Sequence, residues 1–263
     1  ASIAAITKYL PSYSGLLMQS EIESLYNCFE NAEKPLAAII GGAKISTKIS
    51  VLSSLIEKCD YLFVGGGMAN TFLAAKGYDI GNSLYERDAI DKAKELLKKS
   101  ESNNCEIYLP EDFTVSENIE HLDKSEILKL GDSVKGKMIF DIGVETYHKW
   151  HQLLSQCKTV IWNGPVGLFE YPPMDCFSVA LVRSVVYFTK YNDLNSVAGG
   201  GDTLSLLNKA GLKDEFSYVS TAGGAFLEWI EGEKLPGIKS LEESAKTDYQ
   251  NNSSDFSKNL AVI

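Results

Sequence analysis

Two lysines that follow a pair of glycines near the start of the chain have the chemistry to hold an anion. They are Lys44 and Lys48 in the segment GGAKISTK, residues 41–48. A spacing of four predicts that both lie on one face of a helix at its first turns. Free N–H groups at a helix amino terminus attract anions, and ammonium groups strengthen that attraction. The same spacing is also typical of a solvated lysine pair, and the segment is not a Walker A loop.

A second anion-binding segment, GGGDT, covers residues 199–203. Consecutive glycines let the backbone approach a phosphate and form a nest of N–H groups. Asp202 is a hard oxygen ligand suited to Mg²⁺, and the Thr203 hydroxyl can bond a phosphate. Either side chain could also be a simple helix cap, and the two roles are compatible.

The third segment, WNGPVGLFE at residues 162–170, predicts a shaped loop because it combines one proline with two glycines. Asn163 can bond a phosphate, Glu170 can accept from ribose hydroxyls, and Leu168 offers apolar surface to a base. The alternative is a rigid turn around a buried aromatic side chain.

Two further glycine runs, at 65–67 and 223–224, carry less information. Neither fits the dinucleotide fingerprint Gly-x-Gly-x-x-Gly. Taken singly, each is more typical of a tight connection between a strand and a helix than of a ligand contact.

The elements that position these segments alternate along the chain. Short apolar runs predict strands, and each is followed by glycines or a loop and then by an amphipathic helix. The predicted strands are 36–40, 61–64, 106–109, 138–140, 159–162, 196–198 and 218–220, and the predicted helices are 19–31, 44–58, 68–76, 86–99, 145–155, 174–191, 202–210 and 225–231.

This alternation predicts an α/β fold of three layers, a doubly wound, Rossmann-like and mostly parallel sheet with helices on both faces. Ligands bind such sheets at the carboxyl ends of the strands, where the glycine segments fall. After Pro236 the chain becomes polar, and we expect the tail at 246–258 to be mobile unless a missing partner segment holds it.

Composition narrows the function classes. No apolar run is long enough to cross a bilayer, and the first residues do not form a signal peptide. A net charge of −10 argues against a nucleic acid partner but not against a small nucleotide. Five cysteines without close pairs predict reduced, buried thiols in a cytoplasmic protein.

Together these motifs resemble those of the phosphoglycerate kinase family. GGAK, GGGMA, WNGPVGLFE, GGGDT and STAGGA occur in the family's order, followed by LPGI at 235–238. The resemblance runs from about residue 8 to 241 and covers only the nucleotide-binding domain. Ala222 departs from the family pattern, which often has glycine there.

The resemblance implies site residues one by one. Lys44 corresponds to the lysine that follows the transferring phosphoryl group, and Asp202 corresponds to the Mg²⁺ ligand. The residues implied in catalysis are Lys44, Gly200, Gly223 and Gly224. Those implied in binding ADP or ATP are Gly42, Ala43, Lys48, Gly65, Gly66, Leu84, Ile139, Asn163, Leu168, Glu170, Gly200, Gly201, Asp202 and Thr203.

The resemblance further implies phosphoryl transfer between 1,3-bisphosphoglycerate and ADP, giving 3-phosphoglycerate and ATP in glycolysis. The family's other domain, which binds the phosphoglycerate, has no counterpart in this sequence. Residues 1–33 would be the end of that domain and an interdomain helix, 34–238 the nucleotide-binding domain, and 239–263 a tail packing on the other domain. We expect a monomer that is inactive alone.

Two alternatives remain open. A nucleotide-binding module without catalysis fits the same loops, although Lys44 would then have no task. A Rossmann dehydrogenase domain predicts an acidic ribose ligand near Glu57 or Asp60, but the glycine spacing does not fit.

Overall fold

A computed structural model describes residues 4–10 and 12–246. Its centre is a parallel sheet with the strand order β3-β2-β1-β7-β8-β9. The first strand lies in the middle of the sheet, and the next two extend the sheet to one edge. The last three strands are then added on the other side of the first. The strands of this sheet are β1 (Leu36–Ile40), β2 (Tyr61–Val64), β3 (Glu106–Tyr108), β7 (Thr159–Asn163), β8 (Asn195–Ala198) and β9 (Tyr218–Val219).

Both faces of this sheet are covered, which confirms the three-layer α/β prediction. Strand β1 is buried throughout because alternate side chains enter different cores. Ala37 and Ile39 join one apolar cluster, and Ala38 and Ile40 join the other. The first face carries α5 (Val144–Leu154), α6 (Cys176–Tyr191) and α7 (Gly201–Ala210), and the second carries α1 (Leu16–Phe29), α2 (Ile49–Lys58), α3 (Gly66–Ala75), α4 (Ile90–Ser102) and α8 (Gly224–Ile230).

A second, antiparallel sheet was not predicted as a unit. It has the order β5-β4-β6, formed by β4 (Asp112–Ser116), β5 (Glu126–Lys129) and β6 (Met138–Ile142). The predicted strand at 138–140 therefore lies in this small sheet, and β4 and β5 were missed. Phe113 and Val115 face a separate apolar cluster with Leu73 and Val134. The sequence of β4 alternates polar and apolar residues, with Phe113 and Val115 in this cluster, so that short alternation is the signal that could have predicted it.

The ends of the described chain are also ordered against the domain. Helix α1 begins and ends a few residues before the predicted 19–31, and buries Leu25, Cys28 and Phe29 in the shared core. A further helical stretch covers 236–246, and Ser244 Oγ accepts from Ser12 N at 3.0 Å. Apart from residue 246, the tail expected to be mobile lies outside the described residues.

All five cysteines are free. The prediction of buried thiols is confirmed for Cys28, Cys59, Cys105 and Cys157, and it is wrong for Cys176, which is exposed at the start of α6. Within 4–10 and 12–246, none of the helices has the length and apolar character needed to span a membrane.

Candidate functional site

The glycine segments meet at the carboxyl edge of the parallel sheet, as predicted. Strands β1 and β7 are neighbours, yet the chain leaves them toward opposite edges. A crevice opens where the strand order reverses in this way. The loops that follow β1, β2, β7 and β8 surround this crevice.

The loops after β1 and β7 approach so closely that side chains are excluded. A Cβ on Gly41 would lie 1.7 Å from Pro165 O, and one on Gly164 would lie 2.3 Å from Gly41 O. Gly164 also has a φ of +93°, which favours glycine. The loop after β2 is tied to the same point, since Met68 N donates to Gly42 O at 3.0 Å. The glycines therefore serve first to interlock the loops.

Lys48 points into this interlocked region. Its ammonium group donates to Gly41 O at 2.9 Å and also to the side-chain and main-chain oxygens of Asn163. Burial lowers the pKa of Lys48 to about 8, and the nearby charge of Asp202 partly opposes that shift. The hydrogen-bond acceptors of Lys48 are all neutral amide oxygens, so its positive charge is not paired by them and can attract an anion in the cleft.

The prediction that Lys44 and Lys48 share a helix face is wrong. Residues 46–48 form a 3₁₀ turn, and α2 begins only at Ile49. Lys44 lies before the turn and is exposed, whereas Lys48 is drawn inward by its three oxygen acceptors. The tertiary partners, rather than helical spacing, decide where each ammonium group lies.

A polar network joins the loops after β7 and β8. Asn163 Nδ2 donates to Gly199 O at 2.7 Å, and Gly164 N donates to Thr203 Oγ1 at 2.7 Å. The Thr203 hydroxyl in turn donates to Gly199 O at 2.9 Å. Gly200 has a φ of +96° and precedes α7, whose first turn holds Asp202. The network aims the free N–H groups of α7 toward the crevice.

A cleft of about 550 Å³ extends from this crevice toward the small sheet. It brings together eight residues predicted for the site. They are Gly42, Ala43, Gly66, Leu84, Ile139, Leu168, Glu170 and Asp202.

Other predicted residues do not line the cleft. Lys48, Asn163 and Thr203 belong to the hydrogen-bonded loops described above, and Gly200 and Gly201 lie at the start of α7 next to Asp202. Gly65 packs against Val166, where a Cβ would come within 2.4 Å. Lys44 stays exposed at the first loop, and Gly223 and Gly224 are exposed at the start of α8.

Part of the cleft wall was missed. Strands β4 and β6 contribute apolar surface, and α3 contributes Asn70, whose Nδ2 donates to Leu84 O at 3.0 Å. The residues of β4 and β6 reach the site only through the second sheet, and no motif indicated them. Asn70 lies on α3 directly after the GGGMA segment, which is the signal that could have indicated it. The missed lining residues include Asn70, Pro110, Phe113, Asn118, Ile119, Met138, Phe140 and Asp141.

Asp141 is a buried carboxyl group behind the 164–170 loop. Its oxygens accept from Ile142 N at 2.9 Å and from Phe177 N at 3.3 Å. Burial raises the pKa of Asp141 well above its usual value, and the charge of Asp175 adds to this. A Cβ on Gly167 would lie 2.1 Å from Asp141 Oδ1, so glycine is required for the close approach.

Helix α1 is connected to the last strand of the sheet. Glu21 accepts from Tyr218 at 2.5 Å and from the Ser220 hydroxyl. Burial and this hydrogen bond raise the pKa of Tyr218 to about 12. Ser220 Oγ also accepts from Ala222 N at 3.2 Å, so the contact reaches the loop before α8.

No group of three or more His, Cys, Asp or Glu side chains able to hold a metal occurs among the residues that the structure describes. Asp202 is exposed at the start of α7, beside the cleft. A single carboxylate fits Mg²⁺, because this ion is commonly held by one or two carboxylates together with substrate phosphates.

Comparisons with known proteins agree with this geometry. A family model described as phosphoglycerate kinase matches residues 1–233. A phosphoglycerate kinase of Dinoroseobacter shibae is 47% identical over 242 residues, which are 92% of this chain and 62% of that protein. One from Rhizorhabdus wittichii is 45% identical, with coverage of 92% and 61%. The chain thus spans about three fifths of the length of these relatives.

Solved structures give the same result. The phosphoglycerate kinase structure from Coxiella burnetii matches with a TM-score of 0.88 at 42% identity, covering 92% of this chain and 61% of that one. The structure from Pyrococcus horikoshii matches with a TM-score of 0.79 at 27% identity, covering 93% and 61%.

Proposed function

The chain belongs to the phosphoglycerate kinase family, and from that premise we propose that its cleft binds ADP and ATP with Mg²⁺. It would be the nucleotide-binding part of an enzyme that transfers a phosphoryl group between 1,3-bisphosphoglycerate and ADP, giving 3-phosphoglycerate and ATP in glycolysis. The observation that supports this most directly is the half-buried ammonium group of Lys48, at the point where the strand order reverses.

We place the nucleoside at the small-sheet end of the cleft. Leu84, Ile139 and Leu168 provide apolar surface for the base, and the Glu170 carboxylate can accept from ribose hydroxyls. The phosphates would lie at the crevice. There Lys48 supplies positive charge, and the backbone N–H groups of Gly200, Gly201 and Thr203 would supply hydrogen-bond donors. The Thr203 hydroxyl is buried and already donates to Gly199 O.

Asp202 would hold the Mg²⁺ that accompanies the nucleotide, at the start of α7. When bound, the ion neutralises charge on the phosphate oxygens. The repulsion between Asp202 and the phosphates is thereby removed, and the chain needs no separate metal centre of its own.

The remaining residues would act on the transferring group. Phosphoryl transfer requires alignment and charge neutralisation more than a covalent nucleophile. Lys44 is exposed beside the crevice and can follow the moving phosphoryl group with its ammonium group. The Gly200 amide, and the amides of Gly223 and Gly224 at the start of α8, would donate to its oxygens when the site closes.

Turnover would require the part of the relatives that this chain does not match. That part would bind the phosphoglycerate, and closure of the two halves would exclude water. We propose that residues 1–33 are the end of that part and an interdomain helix, that 34–238 is the nucleotide-binding domain, and that 239–263 pack against the other part. We further propose that this chain alone is inactive. The whole protein would be a cytoplasmic monomer without nucleic acid or membrane partners.

Calorimetric titration with ADP in excess Mg²⁺ tests the proposal, with NAD as the control ligand. We expect saturable ADP binding and no response to NAD. Lys48→Met should weaken ADP binding at least tenfold, because a charge-assisted contact is worth about 1.5–3 kcal/mol. Lys58→Met is the matched control, because Lys58 lies in the last turn of α2, away from the crevice, and pairs with Glu30.

Failure of the folded chain to bind ADP would refute the proposal, and binding of NAD would favour a dehydrogenase. If ADP binds but no phosphoryl transfer occurs after the phosphoglycerate-binding part is supplied, the alternative of a non-catalytic nucleotide-binding module would be preferred.

A further inference from the structure

One lysine outside the predicted site holds the loop that carries Glu170. Lys209 Nζ, in the last turn of α7, donates to Phe169 O at 2.6 Å and pairs with Asp175 at 2.8 Å. These two partners flank Glu170 in the sequence. Because the cleft is assigned to a nucleotide only by the proposed function, the inference rests on it: we propose that Lys209 is a positioning residue, which fixes the Glu170 segment relative to the phosphate end of the site.

Helix α7 holds the loop at a second point, near its amino terminus. There Thr203 Oγ1 accepts from Gly164 N at 2.7 Å. From residue 203 to 209 a helix rises about 9 Å, at about 1.5 Å per residue. One rigid element thus holds the beginning and the middle of the loop, and it carries Asp202 as well. The spacing between the phosphate and ribose ends is set by this helix.

The other contacts of the loop fix different parts of it. Leu168 N donates to Phe140 O at 2.7 Å, and Gly167 packs against Asp141. The Phe169 ring is buried in the main core, but its carbonyl points to Lys209. The direction of this carbonyl determines the path of the next residue, Glu170.

The environment makes the Lys209 contacts stronger than an ordinary surface ion pair. The side chains of Lys209 and Asp175 are 31% and 20% exposed. Both bonds from the ammonium group are short, and hydrogen bonds with a charged donor are about twice as strong as neutral ones. Loss of the ammonium group would leave both the carbonyl and the carboxylate without this partner.

Hydrogen exchange of the nucleotide-free protein tests the positioning role directly. In Lys209→Met, amide exchange over 166–174 should rise at least fivefold, while exchange in the strands of the parallel sheet stays unchanged. Lys209→Arg should restore most of the protection. Lys190→Met is the matched control, because Lys190 is also in the last turn of a helix and pairs with Glu215 at 2.7 Å.

ADP binding measures the functional consequence. Lys209→Met should weaken binding about fivefold, a change of about 1 kcal/mol. The same substitution combined with Glu170→Ala should cost little more than Glu170→Ala alone, because Lys209 acts through Glu170.

The inference fails if exchange over 166–174 is unchanged in Lys209→Met, if it rises equally throughout the domain, or if the effects of Lys209→Met and Glu170→Ala on ADP binding are additive. Should the wild-type chain not bind ADP, the proposed function fails, whereas hydrogen exchange still decides whether Lys209 positions the loop.

Discussion

The ammonium group of Lys48 lies 2.5 Å from the side-chain oxygen of Asn163 and 3.4 Å from its main-chain oxygen. These residues are far apart in the sequence, one after β1 and the other at the end of β7. Their contact joins the two loops where the strand order reverses. It also keeps a positive charge in a place that burial makes unfavourable for it.

Lys48 should make stability depend on pH. Its pKa falls from the usual 10.5 to about 8 on folding. Between these values the unfolded chain binds more protons, so the free energy of unfolding should rise with pH in this range. Lys48→Met should remove that part of the rise. The free energy of unfolding is measured by denaturant titration at pH 7–11 for both proteins. The difference between them is used, so that the contributions of tyrosine and thiol titration cancel. Identical pH profiles would contradict the assignment.

ADP binding should be linked to the proton on Lys48. Phosphates favour the charged form, so the nucleotide should raise the pKa of Lys48, and binding near pH 9 should take up protons. Calorimetry in buffers with different ionisation enthalpies measures this uptake. It should disappear in Lys48→Met and persist in Lys58→Met; uptake that persists in Lys48→Met would assign the proton to another group.

Asn163→Leu should destabilise the domain although the two side chains are similar in size. The substitution removes an acceptor from Lys48 and a donor from Gly199 O. Lys48 keeps its main-chain acceptors and Gly199 O keeps the Thr203 hydroxyl, so the expected cost is that of the two lost hydrogen bonds, about 1–3 kcal/mol in all. Chemical denaturation measures the loss, and Asn208→Leu, at an exposed position on α7, should change stability by less than about 0.5 kcal/mol. Equal losses in both variants would argue against a structural role of the network.

Gly167→Ala should disturb the cleft wall. The added methyl group would lie 2.1 Å from Asp141 Oδ1, so the loop or the carboxyl group must move. We expect a loss of about 1–3 kcal/mol, typical of overpacking. The stability control is Gly201→Ala, where no atom lies within 4 Å of the new Cβ. A crystal structure of Gly167→Ala in which both Leu168 and the Asp141 carboxyl group are unmoved would contradict this account.

Glu21→Gln should lower the pKa of Tyr218 from about 12 toward 10, because a neutral amide replaces the charged carboxylate that accepts the hydrogen bond of the tyrosine hydroxyl. The ¹³C shift of the labelled tyrosine ring followed against pH measures this change. Glu23→Gln is the control, since Glu23 is exposed on the same helix and accepts from Gln19 at 2.8 Å. An unchanged Tyr218 titration would mean that burial alone raises its pKa.

The parallel sheet and the position of the candidate site at its carboxyl edge could both be predicted from the sequence. Apolar runs such as 36–40 are buried on both faces, and that requirement is local enough to be read from residue types. Glycines that are required because no side chain fits, such as Gly41 and Gly164, can also be recognised in the sequence as motif glycines. The motif order then identified the family, which the comparisons confirm.

Two features could not be predicted without the tertiary structure: the directions of the Lys44 and Lys48 side chains, and the part of the cleft formed by the small antiparallel sheet. Helical spacing predicted Lys44 and Lys48 on one face, but Lys48 turns inward because it donates to Gly41 O and to Asn163, a residue of a loop that is distant in sequence. Strand β4 is stabilised by partners that are remote in sequence, so its contribution to the cleft had no local signal. Lys209 could not be predicted as a positioning residue, because its partners are also remote in sequence. Its hold on Phe169 exists only after the sheet has brought α7 beside the loop.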